Sequence, residues 1–196
     1  MFATPQSLLK RTGKSDLNRP AYLKQLVEEY KNELTTDEKR EQVLANLANF
    51  AYDPINYEYF RRFDIIDLFI ENLKQFHSNG FVKNEKLLMF SLAAISNLCL
   101  DPKNKDYLIK NNVIHLTSHY LLLTKLDEIN NLESILISLT ILVFMIDNTN
   151  KLEILNNKNL IELIKQDYSK SSNKRLSNLA NLFINDYLNR TEEDTK

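Results

Sequence analysis

Apolar and polar residues follow one another along this chain at the three- and four-residue spacing of amphipathic helices. The apolar positions of two such segments are Val43, Leu44, Leu47 and Phe50, and then Leu92, Ile95 and Leu98. A further amphipathic segment opens at Pro20, and another follows Asn173, a residue type suited to cap a helix N-terminus. The pattern therefore predicts an all-α fold in which helices pack through their apolar faces.

One short sequence recurs where these segments end. It reads YDPINYEYF from Tyr52, LDPKNKDYL from Leu100 and, in weaker form, IDNTNKLEI from Ile146. Its aspartates lie 48 and then 46 positions apart, and an asparagine follows each by three positions. These residues are Asp53, Asp101 and Asp147, followed by Asn56, Asn104 and Asn150. Because aspartate can cap a helix and proline suits its first turn, each copy is predicted to end one helix and begin the next.

A repeat of this length is typical of armadillo or HEAT units. We therefore predict a short right-handed armadillo-like superhelix of three-helix repeats. Tight turns are predicted at Asp64, Asn112 and Asn159, because aspartate and asparagine tolerate the left-handed backbone. The predicted domain is 19–188, with a capping helix at 20–34 and repeats at roughly 38–100, 101–147 and 148–188. A flexible basic arm, 1–18, and a disordered tail, 189–196, are predicted to flank it.

Composition narrows the possible functions. The chain has only 2 glycines and 4 prolines, which argues against strands and glycine-rich phosphate loops. Its net charge of −1 argues against tight nucleic-acid binding over the whole surface. The basic arm is interpreted as a solvated leader, the alternative being a contact for an acidic partner or RNA. Cys99, the one cysteine, is interpreted as a buried apolar residue in a protein of a reducing compartment. No apolar run is long enough for a signal peptide or a membrane span.

The sequence presents no catalytic or metal-binding constellation. His115 and His119 are four positions apart and could share a helix face, but two ligands do not make a metal site. We therefore predict that the protein is not an enzyme and uses no cofactor, metal ion or small-molecule substrate.

Polar side chains beside the apolar stripes are the candidate binding residues. In a solenoid the stacked third helices usually form a concave wall that binds partners. The polar and aromatic positions predicted on this wall are Gln42, Asn46, Asn49, Tyr52, Asp53, Asn97, Asp101 and Asn181. An amide both donates and accepts hydrogen bonds, so a ladder of amides can hold an extended peptide. The alternative is that Asn49 and Asn97 satisfy carbonyl groups of neighbouring loops.

The third repeat departs from this pattern, since its segment SILISLTILVFMI is apolar on nearly every side. A helix of that kind is normally buried all round. Either the C-terminal helix covers its outer face, or a partner protein docks an apolar side chain near Leu136 and Val143.

The segment EQVLANLANFAYDPINYEY, Glu41 to Tyr59, resembles the most distinctive block of the armadillo repeat-containing protein 7 family. Further matches are RPAYLKQLVEEYK, DLFIENL, SNLCLDPKNKDYL and RLSNLANLFINDYL, in the same order. The resemblance implies a non-catalytic splicing factor of the minor spliceosome, located in the nucleus and also possible in the cytoplasm. It implies a partner similar to RNA-binding motif protein 48, which recognises the capped end of a small nuclear RNA, together with other spliceosomal proteins. Contact with RNA is then expected to be indirect.

The matching block adds Asn56 and Tyr57 to the candidate surface, and Tyr57 is interpreted as a packing residue. Two other functions stay open. A peptide receptor of the nuclear-import type ranks low, because such receptors place tryptophan where this chain has Ala45 and Ala93, and the chain has Trp 0. A cytosolic armadillo adaptor in a ubiquitin or signalling complex is compatible with the predicted fold.

Overall fold

The structure is a computed structural model that describes residues 18–79, 84–124, 131–147 and 149–189. Apart from Asn18 and Asn189, the predicted basic arm and C-terminal tail lie outside the described residues. The chain divides into two compact units between Asn111 and Asn112. This division falls inside the predicted repeat 101–147.

The described residues of the first unit form six α-helices and one 3-10 turn. They are α1 Arg19–Lys31, α2 Asp37–Ala51, the turn Pro54–Asn56, α3 Tyr57–Arg62, α4 Ile65–Asn79, α5 Glu85–Leu98 and α6 Pro102–Lys110. Those of the second unit form α7 Val113–Leu123, α8 Leu132–Met145, α9 Lys151–Leu155, α10 Lys158–Leu163 and α11 Lys174–Phe183. Single π-helical turns, Ile164–Tyr168 and Ile184–Leu188, continue α10 and α11. The all-helical class is confirmed for the described residues, and the right-handed superhelix stays a prediction.

Short polar side chains begin several of these helices. Asn18 accepts a hydrogen bond from the Ala21 N–H at 3.0 Å and starts α1. Asn173, the predicted cap of α11, accepts from two backbone N–H groups at 3.0 and 3.2 Å. Helix α1 ends at Lys31, before the predicted boundary at 34, because Asn32 is extended and its side chain accepts from the Leu34 N–H.

Two of the three predicted tight turns are confirmed. Asp64 and Asn112 have φ values of 54° and 60°, and among the non-glycine residues described they alone have positive φ. The prediction for Asn159 is wrong, because this residue lies inside α10. The helix begins at Lys158, and its N-cap is Asn157, whose side chain accepts a hydrogen bond from the Leu160 N–H at 3.2 Å. An amide at an N-cap satisfies an otherwise orphan donor, which a residue two positions further on cannot do.

The core of the first unit is built mainly between α2, α5 and α4, with α1 packed on α2. The predicted apolar stripe is buried as expected, with Leu44 and Leu47 of α2 and Leu92 of α5 fully inaccessible. Inside this core, Asn72 of α4 donates to the Ser91 hydroxyl at 2.9 Å. The Tyr30 hydroxyl of α1 in turn donates to the Asn72 carbonyl oxygen at 3.3 Å, so the buried amide is satisfied from two helices.

In the second unit α8 is the central helix and packs against both α7 and α11. Tyr168 is fully buried, and its hydroxyl donates to the Leu121 carbonyl at 3.3 Å. Helix α11 is joined to α8 at both ends. Near the start of α11, Arg175 pairs with Glu133 of α8. Just after the end of α11, the Tyr187 hydroxyl donates to the Val143 carbonyl of α8 at 2.9 Å. Of the two explanations for the apolar third repeat, the structure therefore favours cover by the C-terminal helix.

Candidate protein-binding surface

Three amide side chains form an exposed ladder on α2. Gln42, Asn46 and Asn49 lie on the side of the helix opposite the buried Leu44 and Leu47. None of the three side chains hydrogen-bonds to another residue in the part of the chain that the structure describes. We call these three residues the amide ladder. Its donors and acceptors face solvent and are available to a ligand backbone.

The alternative role of Asn49 and Asn97, satisfying nearby loop carbonyls, is not seen among the described residues. The backbone of each takes part in local hydrogen bonding instead. The Asn49 carbonyl accepts from the Tyr52 N–H at 3.3 Å, and the Asn97 carbonyl accepts from the Tyr57 hydroxyl at 3.0 Å. Tyr57 is 8% exposed and packs as predicted from the matching block.

The repeated asparagines serve the joints between helices rather than the exposed surface. Asn56, Asn104 and Asn150 are buried, at 0, 0 and 5% exposure. The Asn56 amide donates to the Phe50 carbonyl at 2.8 Å, and the Asn150 amide donates to the Met145 carbonyl at the same distance. Each of these two amides thus satisfies a carbonyl that the end of the preceding helix leaves without an intrahelical donor.

The repeated aspartates differ from one another in how they cap. Asp101 accepts from the Asn104 N–H at 2.9 Å, and Asp147 accepts from the Thr149 and Asn150 N–H groups at 2.8 and 3.3 Å. Asp53 makes no side-chain cap hydrogen bond at the 3-10 turn. Capping by aspartate, predicted from the repeat, therefore holds at the second copy. At the third copy the prediction is wrong, because Asp147 binds the turn before α9, whose N-cap Asn150 makes no side-chain cap hydrogen bond.

The first two copies of the repeat form a pocket of about 620 Å³. We call it the Asp-Pro pocket. It is lined by residues from segments 52–58 and 100–102, together with Arg61 and Asn97. Three residues predicted for the binding face, Tyr52, Asn97 and Asp101, meet in its lining. Tyr52 and Leu100 occupy equivalent positions in the two copies and are 58 and 59% exposed.

An arginine organises the charged side of the Asp-Pro pocket. Arg61 Nη1 lies 3.0 Å from Asp101 Oδ1 and donates to the Asn104 carbonyl oxygen at 2.6 Å. Burial raises the pKa of the Tyr57 hydroxyl, and the carboxylates of Asp101 and Asp53 raise it further. The tyrosine therefore stays protonated and keeps donating to Asn97 throughout the neutral pH range.

The candidates in the second unit have mixed exposure. Asn181 is exposed on α11, and Val143 is partly exposed on α8. Leu136 is 6% exposed, so its proposed place on a docking surface is wrong. Its helix packs between α7 and α11, which leaves the Leu136 side chain inside the core.

The pocket residues that sequence reasoning missed include Glu58, Arg61 and Leu100. A signal for Leu100 was present, because it stands at the repeat position of Tyr52. No periodicity marks Arg61, since the equivalent residue in the next copy is Ile109. Its partners, Asp101 and Asn104, lie 40 and 43 positions away and become neighbours only through the packing of the first unit.

Groups that could carry other chemistry are scarce in the described part of the chain. His115 and His119 stack with their ring centres 6.5 Å apart. No group of three or more histidine, cysteine, aspartate or glutamate side chains is placed to hold a metal ion among the described residues. Within the same residues, no helix combines the length and the apolar character needed to cross a bilayer.

The packed helices of the described residues are consistent with an all-helical repeat protein. Over 83 residues the chain is 45% identical to Armadillo repeat-containing protein 7 of Mus musculus. That match covers 42% of this chain and only 36% of the length of the mouse protein. No protein-family model matches the chain. The similarity supports armadillo repeats over part of the chain.

Proposed function

We propose that this chain is a non-catalytic scaffold in pre-mRNA splicing, a nuclear component of the minor spliceosome. It binds and stabilises an RNA-recognition-motif protein similar to RNA-binding motif protein 48, and that partner contacts a small nuclear RNA. The amide ladder is the observation that carries the proposal, because an extended protein segment presents the alternating donors and acceptors that amides match. The partial similarity to the mouse armadillo-repeat protein supports a scaffold of this kind.

A protein partner fits this surface better than RNA does. Gln42, Asn46 and Asn49 carry no charge, and the chain has a net charge of −1. Direct binding to a phosphate backbone draws most of its affinity from clustered lysine and arginine. The RNA in the proposed complex is therefore held through the partner protein.

The test is affinity purification of the tagged full chain from nuclear extract, followed by mass spectrometry and RNA sequencing. We expect an RNA-recognition-motif protein and a small nuclear RNA in the eluate, with the protein retained after ribonuclease treatment. Asn49→Asp should reduce its recovery about tenfold, because a carboxylate cannot donate the hydrogen bond that an amide gives.

Asn159→Asp is the matched control, since it makes the same change at an exposed helical position of the second unit. Circular dichroism would establish that both variants keep their helix content. Recovery of only ubiquitin-ligase or signalling proteins, with no splicing protein, would refute the splicing role and favour the cytosolic adaptor. Equal loss in both variants would remove the amide ladder from the binding surface.

A further inference from the structure

The Asp-Pro pocket exposes apolar surface to solvent. Tyr52 and Leu100 line it and are both more than half exposed, whereas Leu47 and Leu98 of the two preceding helices, α2 and α5, are fully buried. Exposed apolar side chains gathered at one concave site are typical of a protein interaction surface. The volume of about 620 Å³ lies within the range of about 300–1,000 Å³ typical of pockets that bury a small group.

The charged groups of the pocket leave an excess of negative charge. Its lining contains two carboxylates, on Glu58 and Asp101, and one guanidinium, on Arg61. Arg61 is already engaged with Asp101 and Asn104 inside the first unit. Glu58 is exposed and forms no ion pair with any residue in the described ranges. A ligand that brings a cation close to Glu58 therefore finds a carboxylate ready to pair with it.

These two features define the occupant. We propose that the Asp-Pro pocket binds an apolar side chain of a partner protein that is followed directly by lysine or arginine. The apolar side chain packs against Tyr52 and Leu100, and the cation pairs with Glu58. This inference rests on the proposed function only in requiring a protein partner. It adds a second contact to the amide ladder and states the sequence chemistry that this contact selects.

The test uses the purified full chain labelled with ¹⁵N and three capped peptides, so it does not depend on any splicing complex. The peptides are Gly-Ser-Leu-Lys-Lys-Ser-Gly, the same with Ala for Leu, and the same with Glu for both Lys. We expect the leucine-lysine peptide to shift backbone amide resonances at positions 52–58 and 97–102. The alanine peptide should bind about tenfold more weakly, because it buries less apolar area.

Paired variants test whether the peptide binds at the Asp-Pro pocket. Leu100→Ala should weaken binding of the leucine-lysine peptide by about tenfold, while Leu152→Ala, at a 72% exposed leucine of the second unit, should leave it unchanged. Glu58→Gln should weaken it about threefold at low salt and have no effect at 1 M salt. Glu153→Gln, at another exposed glutamate, serves as its control.

Equal affinity for the leucine and alanine peptides, or equal effects of Leu100→Ala and Leu152→Ala, would overturn the inference. Shifts at the pocket caused by an RNA oligonucleotide but by none of the peptides would also overturn it. Shifts that appear on raising the protein concentration alone would assign the pocket to self-association and refute the proposed occupant. All four results would leave the splicing test above unaffected, so the two proposals fail separately.

Discussion

A buried asparagine is costly unless its amide group finds partners, and this chain buries three of them at equivalent repeat positions. In the first copy Asn56 donates to the Phe50 carbonyl, while its own carbonyl accepts from Arg19 at 3.3 Å. Arg19 also lies over the Phe50 ring, 4.7 Å from its centre. One side chain thus links the end of α2, the turn after it and the start of α1. The repeated motif is therefore explained by structure, and repetition alone does not mark a binding residue.

Replacing Asn56 with alanine should destabilise the protein by about 1–3 kcal/mol, because it removes the buried hydrogen bonds of the Asn56 side chain to the Phe50 carbonyl and from the Arg19 guanidinium. The midpoint of urea unfolding, followed by circular dichroism, measures this change. Asn159→Ala, at an exposed helical position, is the control and should stay within about 0.5 kcal/mol of the wild type. Equal midpoints for Asn56→Ala and the wild type would show that this joint contributes nothing to stability.

The sequence pattern correctly predicted the exposure of Asn49 but not the burial of Asn56. Asn49 was correctly expected to be exposed, because it falls beside the apolar stripe of α2. Asn56 has the same side chain, yet it is buried, since the 3-10 turn directs it back toward α2. A periodic pattern has no information on a residue outside a regular helix, so this burial could not be predicted.

At the scale of elements, α2 and α5 are joined at their beginnings by Glu41. Its carboxylate accepts from Lys86 Nζ at 2.9 Å and from Asn84 Nδ2 at 2.7 Å. Asn84 is also the residue that caps α5, since its carbonyl oxygen accepts from the Lys86 N–H at 3.1 Å. The hydrogen bonds from Lys86 and Asn84 lower the pKa of Glu41 below its usual range.

This lowered pKa predicts the direction of a pH effect. The contribution of Glu41 to stability is fully present above its unfolded-state pKa and is lost as pH falls through the lower folded-state value. Glu41→Gln should therefore unfold at a lower temperature than the wild type at pH 7, and the difference should shrink at pH 3. Glu71→Gln, at an exposed glutamate of α4 that pairs with no described residue, is the control. A difference that stayed constant from pH 7 to pH 3 would contradict the assignment.

Most helices could be predicted from the sequence, but some of their ends could not. The apolar periodicity and the Asp-Pro steps locate α2, α5 and α6, because proline and the capping aspartate act within one turn. The beginning of α10 was misplaced, since Asn157 and Asn159 are the same residue type two positions apart. The π-helical turns after α10 and α11 were not predicted. Their backbone hydrogen bonds span one residue more than those of an α-helix, and this change requires no particular side chain.

At the scale of the whole molecule, each unit has its own apolar interior, and the boundary falls between α6 and α7. The shortage of glycine correctly predicted the all-helical fold of the residues that the structure describes. The division between Asn111 and Asn112 could not be predicted, because the same tight turn occurs at Asp64 inside the first unit. Only the distribution of contacts distinguishes a turn within a unit from a turn at its boundary.

Cys99 provides a probe of how often the first unit opens. The thiol is 3% exposed at the end of α5, and burial raises its pKa to about 12. At pH 8 it should react with a disulfide reagent about a thousandfold more slowly than in urea, because the thiolate is the reactive form. The control is Cys99→Ser, which should give no signal, since the chain has Cys 1. A native rate within tenfold of the unfolded rate would show that the thiol is accessible.

The joints at the repeated asparagines also bear on how the chain folds during synthesis. The Asn56 side-chain oxygen accepts from Arg19, 37 positions earlier, and the Asn104 side-chain oxygen accepts from Arg61, 43 positions earlier. Asn150 needs only Asp147 and Met145, three and five positions before it. Every one of these partners precedes its asparagine, so none of the three joints has to wait for residues that the ribosome has yet to add. The chain is therefore suited to close its joints one after another, in the order in which they emerge.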